Sequence, residues 1–392
     1  MCWLIINSLL YWRGITCYDL LAWLYEVLLK PKRMLISGWD SFPDILNYHN
    51  LGILKLGQSS FSNLQGGDFI LDQDPILDVK DLKTYFFTRS GVVKAVDGVS
   101  FSLMPGETLG IVGESGSGKS MTALSIMGLV PQPAGKVVDG QILFQGEDLT
   151  QKTNPEMQRI RGREICMILQ DPMTSLNPVF TVGNQLIETI RTNTNEGSTG
   201  LRAKAIEFLE KVKIASPELR VSSFPHQMSG GMRQRVVGAI AISGSPKLLI
   251  ADEATTSLDA TIQYQYLALL KELQEETGMS IIFITHDFGI VAKMCDRVAV
   301  MYAGRVAEVA DVRSLFNNPA HPYTEALMKS VPNVDEEVDF LYSIEGQPPA
   351  LDDLPPGCTF ANRCPYVMDK CHEEFPPGIE VDEGHVATCW KL

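Results

Sequence analysis

Hydrophobic positions along this chain change their period several times, and those changes divide it. The first 36 residues are apolar in two pieces, Cys2 to Trp12 and Ile15 to Leu29, broken by Arg13-Gly14, carrying Asp19 and Glu26, and followed by Lys30-Pro31-Lys32-Arg33. A spanning helix wants about 20 largely uncharged residues, which neither piece supplies, although joined across Gly14 they would be long enough. A cleaved signal fits less well, because its basic residues should precede the apolar stretch and small residues should come after it. The open readings are an interfacial or partner-docking helix, a span, or a leader. Residues 37–73 hold Gly52, Gly57, Gly66 and Gly67 with no sustained period, which reads as a linker.

From about Pro75 the pattern becomes that of a folded domain. Ile76 to Val79 and Lys94 to Leu103 alternate as strands, and Gly106 to Val112 is an apolar run suited to a buried strand. Met121 to Leu129 then reads as a helix. Residues from about 171 to 245 are richer in helical spacing, as in Leu201 to Val212, and predict an inserted helical subdomain. Alternation resumes with a strand over Lys247 to Ala251, a helix over Ala260 to Gly278, a strand over Ser280 to Thr285, a helix near Phe288 to Met294 and a hairpin over Arg297 to Val309. Strands alternating with helices predict an α/β domain with a mostly parallel sheet core. After about Pro332 the chain turns proline-rich, with Pro348, Pro349, Pro355, Pro356, Pro376 and Pro377, so this tail is no helix bundle and calls for a staple. The division is therefore 1–73, an extension; 74–331, the main domain; and 332–392, the tail.

Composition narrows the partners. A chain of 392 residues with a formal net charge of -14 lacks the basic surplus that holds a phosphate backbone, which argues against nucleic acid but not against one free nucleotide. Of its eight cysteines, Cys358, Cys364, Cys371 and Cys389 crowd the last 35 residues, whereas Cys2, Cys17, Cys166 and Cys295 are scattered. That asymmetry suggests a local ligand set rather than a secreted disulfide framework.

Three segments carry the chemistry. Gly113-Glu114-Ser115-Gly116-Ser117-Gly118-Lys119-Ser120 matches G-x-x-x-x-G-K-[ST] between a predicted strand and a predicted helix. Such glycines let successive N–H groups turn onto phosphates, with Lys119 reaching the β- and γ-phosphates and Ser120 ligating Mg²⁺. The apolar strand Lys247 to Ala251 ends in Asp252 and Glu253, the first suited to the Mg²⁺ shell and the second to polarising a water. Ser229-Gly230-Gly231 opens an apolar helical run and offers a second anion site at a helix start. By itself each of the last two is also an ordinary strand end or helix cap.

In this order the three motifs resemble the Walker A, Walker B and signature sequences of ABC ATPases, over roughly residues 75–392. The resemblance implies a P-loop ABC ATPase fold with an antiparallel β subdomain and an inserted α-helical subdomain. It implies that Gln170 is the Q-loop glutamine near Mg²⁺, that Ser257-Leu258-Asp259 is the D-loop, and that His286 is the switch histidine. Phe86, with Tyr85 as fallback, is the expected adenine stacker. In that family the Walker A of one subunit faces the signature of another, so Ser229, Gly230 and Gly231 are expected to serve a nucleotide held by a partner.

Gln170 to Pro178, Met228 to Arg235 and Asn318 to Ala326 are similar to the D-type ATP-binding subunit of oligopeptide, dipeptide and nickel importers. That similarity implies ATP hydrolysis powering peptide uptake, at the cytoplasmic face of the cell membrane and peripheral to it. A second ATPase subunit of the F type, two transmembrane permeases and, indirectly, a solute-binding protein are the implied partners. The same role for nickel or another small solute stays open, as does a soluble non-transport ABC ATPase. The cysteine spacing Cys358-x₅-Cys364-x₆-Cys371-x₁₇-Cys389 suits an iron–sulfur cluster or Zn²⁺. This subfamily's tail is read as a [4Fe–4S] site, with disulfide or free thiols the other possibility and His372 and His385 as substitute ligands. Two departures stand out: Ala254 replaces the family's usual Pro, and the residues before about 70 have no counterpart.

Overall fold

In the computed structural model the described residues are 74–171, 175–194, 199–256, 258–331 and 342–392. The apolar N-terminal segment, the linker and Ser257 therefore lie outside the described residues. Three five-residue runs organise the rest: β3 (Thr108–Val112), β7 (Leu248–Asp252) and β8 (Ser280–Ile284), buried at every position. Strands covered on both faces read as continuous apolar runs, which is why they belong to a parallel sheet. Together with β6 (Ile165–Ile168) and β9 (Arg297–Tyr302) they form the parallel part of an eight-stranded sheet, ordered β9-β3-β8-β7-β6.

A smaller antiparallel sheet ordered β2-β1-β4-β5 is built from β1 (Leu77–Phe87), β2 (Val92–Leu103), β4 (Gly135–Phe144) and β5 (Glu147–Asp148). Its inner face, with Leu82, Val96, Phe101 and Ile142, shares one core with Ile111, Ile250 and Ile282 of the large sheet. Helix α1 (Lys119–Ile126) comes soon after β3 and is shorter than the sequence pattern predicts.

The inserted helices are α2 (Val182–Asn193), α3 (Leu201–Lys211) and α4 (Gly230–Ile242), packed through Leu186, Ile190, Ala205, Leu209 and Val236. Thr181 starts α2 as its cap, its side chain accepting from Asn184 N. Then come α5 (Ala260–Thr277), α6 (Phe288–Met294) and β10 (Arg305–Asp311), which pairs antiparallel with β9. Helix α7 (Pro322–Lys329) closes this part.

The tail ends in a hairpin, β11 (Ile379–Asp382) and β12 (His385–Ala387), and β12 adds to β10 with Glu308 opposite Ala387. This attachment is fixed by a buried carboxylate. Glu308, fully buried, accepts from Ala320 N at 2.8 Å and His321 N at 2.9 Å, and pairs with His385 Nε2 at 2.7 Å. His385 is thereby engaged by Glu308, away from the ligand role weighed for it, while His372 is exposed.

Candidate functional site

Between β3 and α1 the chain must turn inward, and glycine makes this possible. Gly118 has φ 103°, and a Cβ there would stand 2.5 Å from Ala95 O; at Gly113 it would stand 2.1 Å from Met301 O. The resulting loop borders a cleft of about 590 Å³ lined by Ser115, Gly116, Gly118, Lys119 and Ser120 together with Gln170, Glu253 and His286. A larger hollow of about 770 Å³ lies between Ile76 and Met279, but it contains none of these motif residues.

Lys119 donates from Nζ to Gly113 O at 2.8 Å and Glu114 O at 2.9 Å, so its charge is held by loop carbonyls. Burial pushes its pKa down, partly offset by the carboxylates of Glu253, Asp252 and Glu114. Ser120 Oγ donates to Asp252 Oδ1 at 3.0 Å, and burial pushes the Asp252 carboxyl up. A hydroxyl and a carboxylate in contact beside a phosphate cradle form an oxygen donor set of the kind that suits Mg²⁺.

Glu253 sits at φ 45°, a strained turn for a residue with a Cβ, held by its N–H donating to Ile284 O at 2.9 Å. Its Oε2 accepts from Gln170 Nε2 at 2.5 Å, and its Oε1 lies 3.4 Å from His286 Nδ1. The Glu253 carboxylate thus joins two residues far from it in sequence, Gln170 and His286.

The remaining predicted residues lie apart from this cleft. Ser229 and Gly230 are exposed; Ser229 caps α4 by accepting from Met232 N, and at Gly231 a Cβ would press within 2.6 Å of Ile262. Asp259 caps α5, accepting from Thr261 N and Ile262 N at 3.1 and 3.0 Å. Neither Phe86 nor Tyr85 lines the cleft. The register of β1 sets Phe86 opposite Gly135, and the Tyr85 hydroxyl donates to Asp97 Oδ1 at 2.5 Å. The apolar lining comes instead from Ala95, Met121 and Leu351, of which Leu351 belongs to the tail and is tied down by Lys94 N donating to its carbonyl at 2.9 Å. No signal in the sequence marks Leu351 for this place.

Cys358, Cys364, Cys371 and Cys389 line one small hollow with His321 and Trp390, and none of the four is in a disulfide. Burial pushes Cys358 up to about 11 and raises Cys364 and Cys389. Two sulfurs accept backbone bonds, from Tyr366 N to Cys364 and from Lys391 N to Cys389, each at 3.4 Å. Among the described residues no group of three or more His, Cys, Asp or Glu is arranged to hold a single metal ion.

Comparison with known proteins places these features. Residues 96–256 match the family described as ABC transporter, and residues 307–371 match the one described as oligopeptide/dipeptide transporter, C-terminal region. The chain is 50% identical over 315 residues to the oligopeptide transport ATP-binding protein AppD of Bacillus subtilis, covering 80% of this chain and 96% of that protein. It is 49% identical over 317 residues to the dipeptide transport ATP-binding protein DppD of the same organism, covering 81% and 95%. Among solved structures, the dimeric bacterial ABC transporter cassette MJ0796 superposes with a TM-score of 0.55 at 26% identity, covering 60% of this chain and 99% of that one. On relatives matched over nearly their whole length, the chain is an ABC ATPase and belongs to the family of oligopeptide and dipeptide transporter ATP-binding subunits.

Proposed function

We propose that this chain hydrolyses ATP to drive import of oligopeptides or dipeptides through permeases supplied by other chains. The observation that carries the reading is the convergence of Lys119, Ser120, Asp252, Gln170, Glu253 and His286 around one loop, in a chain whose C-terminal region matches that of peptide transporters. In this reading, residues Gly113 to Lys119 bind the phosphates, and Lys119 exchanges its carbonyl partners for β- and γ-phosphate oxygens. Ser120 and Asp252, with Gln170 nearby, hold Mg²⁺, which when bound neutralises phosphate charge. Glu253 takes a proton from the attacking water, and His286 steadies the γ-phosphate while bonded to Glu253.

The Ser229-Gly230-Gly231 segment, exposed at its first two residues, and Asp259 then serve a nucleotide on a second ATPase subunit. The dimeric state of the related cassette supports such a pairing. An F-type partner, two permeases, a solute-binding protein acting indirectly, and a peripheral position at the cytoplasmic face of the membrane complete the proposal. No helix among the described residues is long and apolar enough to cross a membrane. A peptide-requiring strain lacking this chain should fail to take up labelled di- to pentapeptides, with uptake restored by the wild-type chain and not by Lys119→Ala. Loss of nickel uptake with peptide uptake intact would assign the other solute.

For the tail we propose a [4Fe–4S] cluster on Cys358, Cys364, Cys371 and Cys389. Support comes from four thiols facing one hollow, two of them accepting N–H bonds, a common way to tune cluster sulfurs. Zn²⁺ on the same four thiols is the alternative. Anaerobic purification and then iron, sulfide and zinc analysis tests this; a folded protein with zinc alone or no metal refutes it.

A further inference from the structure

We infer that Arg363, in the cysteine-bearing tail, is a positioning residue for the nucleotide loop and acts through Glu114; this rests on the reading of Gly113 to Ser120 as the ATP site. Arg363 lies 249 positions from Glu114, yet its Nη1 donates to Glu114 Oε2 at 2.9 Å and its Nη2 to Oε1 at 3.1 Å. Such a two-pronged pair fixes orientation as well as charge. The Arg363 side chain is only 5% exposed and Glu114 25%, so water screens the pair weakly.

Glu114 is held from a second side as well. While Arg363 grips the carboxylate, the buried Tyr323 hydroxyl accepts from Glu114 N at 2.9 Å. Inside the loop, Glu114 O accepts from both Lys119 Nζ and Ser117 N, so any shift of Glu114 displaces the lysine amine and the turn behind it. Arg363 is itself braced, donating from Nε to Glu345 O at 3.0 Å and from Nη1 to the Tyr302 hydroxyl at 3.2 Å. It also directly precedes Cys364, so the turn that carries it is part of the wall of the thiol hollow.

Charge gives the arrangement its functional sense. A carboxylate beside Ser115, on a loop that receives a triphosphate, would repel the ligand; the guanidinium cancels that charge and holds the carboxylate in place. Removing Arg363 alone therefore leaves an uncompensated anion next to the phosphates, and removing Glu114 as well takes the anion away. A residue needed only to fold the tail would show no such rescue.

The test measures kcat and KM for ATP in the assembled transporter carrying Arg363→Met, Glu114→Gln or both. Arg363→Met is expected to raise KM about tenfold with kcat changed less than about twofold, the size expected for a lost charge-assisted bond. Adding Glu114→Gln should bring KM back to within about threefold of wild type. Unchanged KM in Arg363→Met, or a deficit that Glu114→Gln leaves in place or deepens, overturns the inference. Glu114→Gln alone removes the charge pair while leaving every other Arg363 bond intact, so it tests the inference even if Arg363→Met proves unstable; its KM should stay within about threefold of wild type, and a rise of about tenfold or more also overturns the inference. Lys119→Ala in the same preparation separates the two claims, because ATP turnover surviving there refutes the ATP site itself.

Discussion

Replacing Glu253 by Gln tests the chemistry with little geometric disturbance. The carboxylate has two engaged oxygens: Oε2 accepts from Gln170 at 2.5 Å, and Oε1 faces His286 Nδ1 at 3.4 Å. A Gln side chain at 253 keeps an acceptor toward Gln170 and presents an NH₂ toward the imidazole, so the local hydrogen bonds survive with His286 as acceptor. The N–H bond to Ile284 O that holds this turn at φ 45° belongs to the backbone and survives too. What disappears is basicity, which contributes about 10²- to 10⁴-fold when a side chain takes a proton in the transition state. That range corresponds to about 3–5 kcal/mol of barrier. Glu253→Gln is thus expected to bind ATP within about threefold of wild type, since 1.4 kcal/mol is about tenfold and only a fraction is at stake. Turnover by the assembled complex should fall at least about 100-fold. Equilibrium nucleotide binding and steady-state phosphate release, measured on the same preparation, decide it. Hydrolysis within about threefold of wild type would remove Glu253 from its role, and lost ATP binding would show that its task is structural.

Gly118→Ala should weaken ATP binding by at least about tenfold, since φ 103° strains any Cβ by about 1–3 kcal/mol and the Cβ would meet Ala95 O at 2.5 Å; calorimetry on the purified chain measures this. Glu308→Ala strands His385 and two backbone N–H groups in the interior. Leaving buried donors without their acceptor costs about 1–3 kcal/mol each, so thermal unfolding should begin about 10 °C lower; an unchanged Tm would sink the idea that this carboxylate ties the tail hairpin to β10. Burial pushes the pKa of His321 down to about 4, with its Nδ1 accepting from Tyr323 N. The folded state therefore keeps it neutral while the unfolded chain takes up a proton near 6.5, so the associated stability is present above about pH 6.5 and is lost as pH falls toward about 4. Denaturant titrations should show His321→Gln losing about 3 kcal/mol less than wild type across that window, and equal pH slopes would contradict the burial argument.

Much of this was legible because local chemistry and global placement agree. Thr108–Val112, Leu248–Asp252 and Ser280–Ile284 are largely apolar and buried throughout, and the loop after the first needs glycine for reasons visible in the motif. Lys119, Ser120, Asp252, Gln170, Glu253 and His286 meet because each sits just beyond or at the end of one of the neighbouring strands, or at the start of α1. The tail was far less legible. Pro-rich stretches conceal the two short strands Ile379–Asp382 and His385–Ala387, which form where β10 offers an edge and Glu308 a partner. Arg363 and Tyr323 reach Glu114 across more than 200 positions, a separation that no local period records. Tyr323 lies within Asn318 to Ala326, the segment that resembles peptide transporters, yet nothing there pointed to the nucleotide loop. Phe86, set opposite Gly135 by the register of β1, is not among the residues lining the cleft, and a strand position alone does not say which face an aromatic ring takes.

Coupling of hydrolysis to peptide movement is measured in proteoliposomes holding the assembled complex, with phosphate release and accumulation of a labelled peptide recorded in one sample. Both should rise together when ATP and the solute-binding protein are supplied, and both should vanish with Glu253→Gln. Peptide accumulation that persists in that variant, or ATP hydrolysis that never moves a peptide while another solute accumulates, would contradict ATP-driven peptide import by this chain.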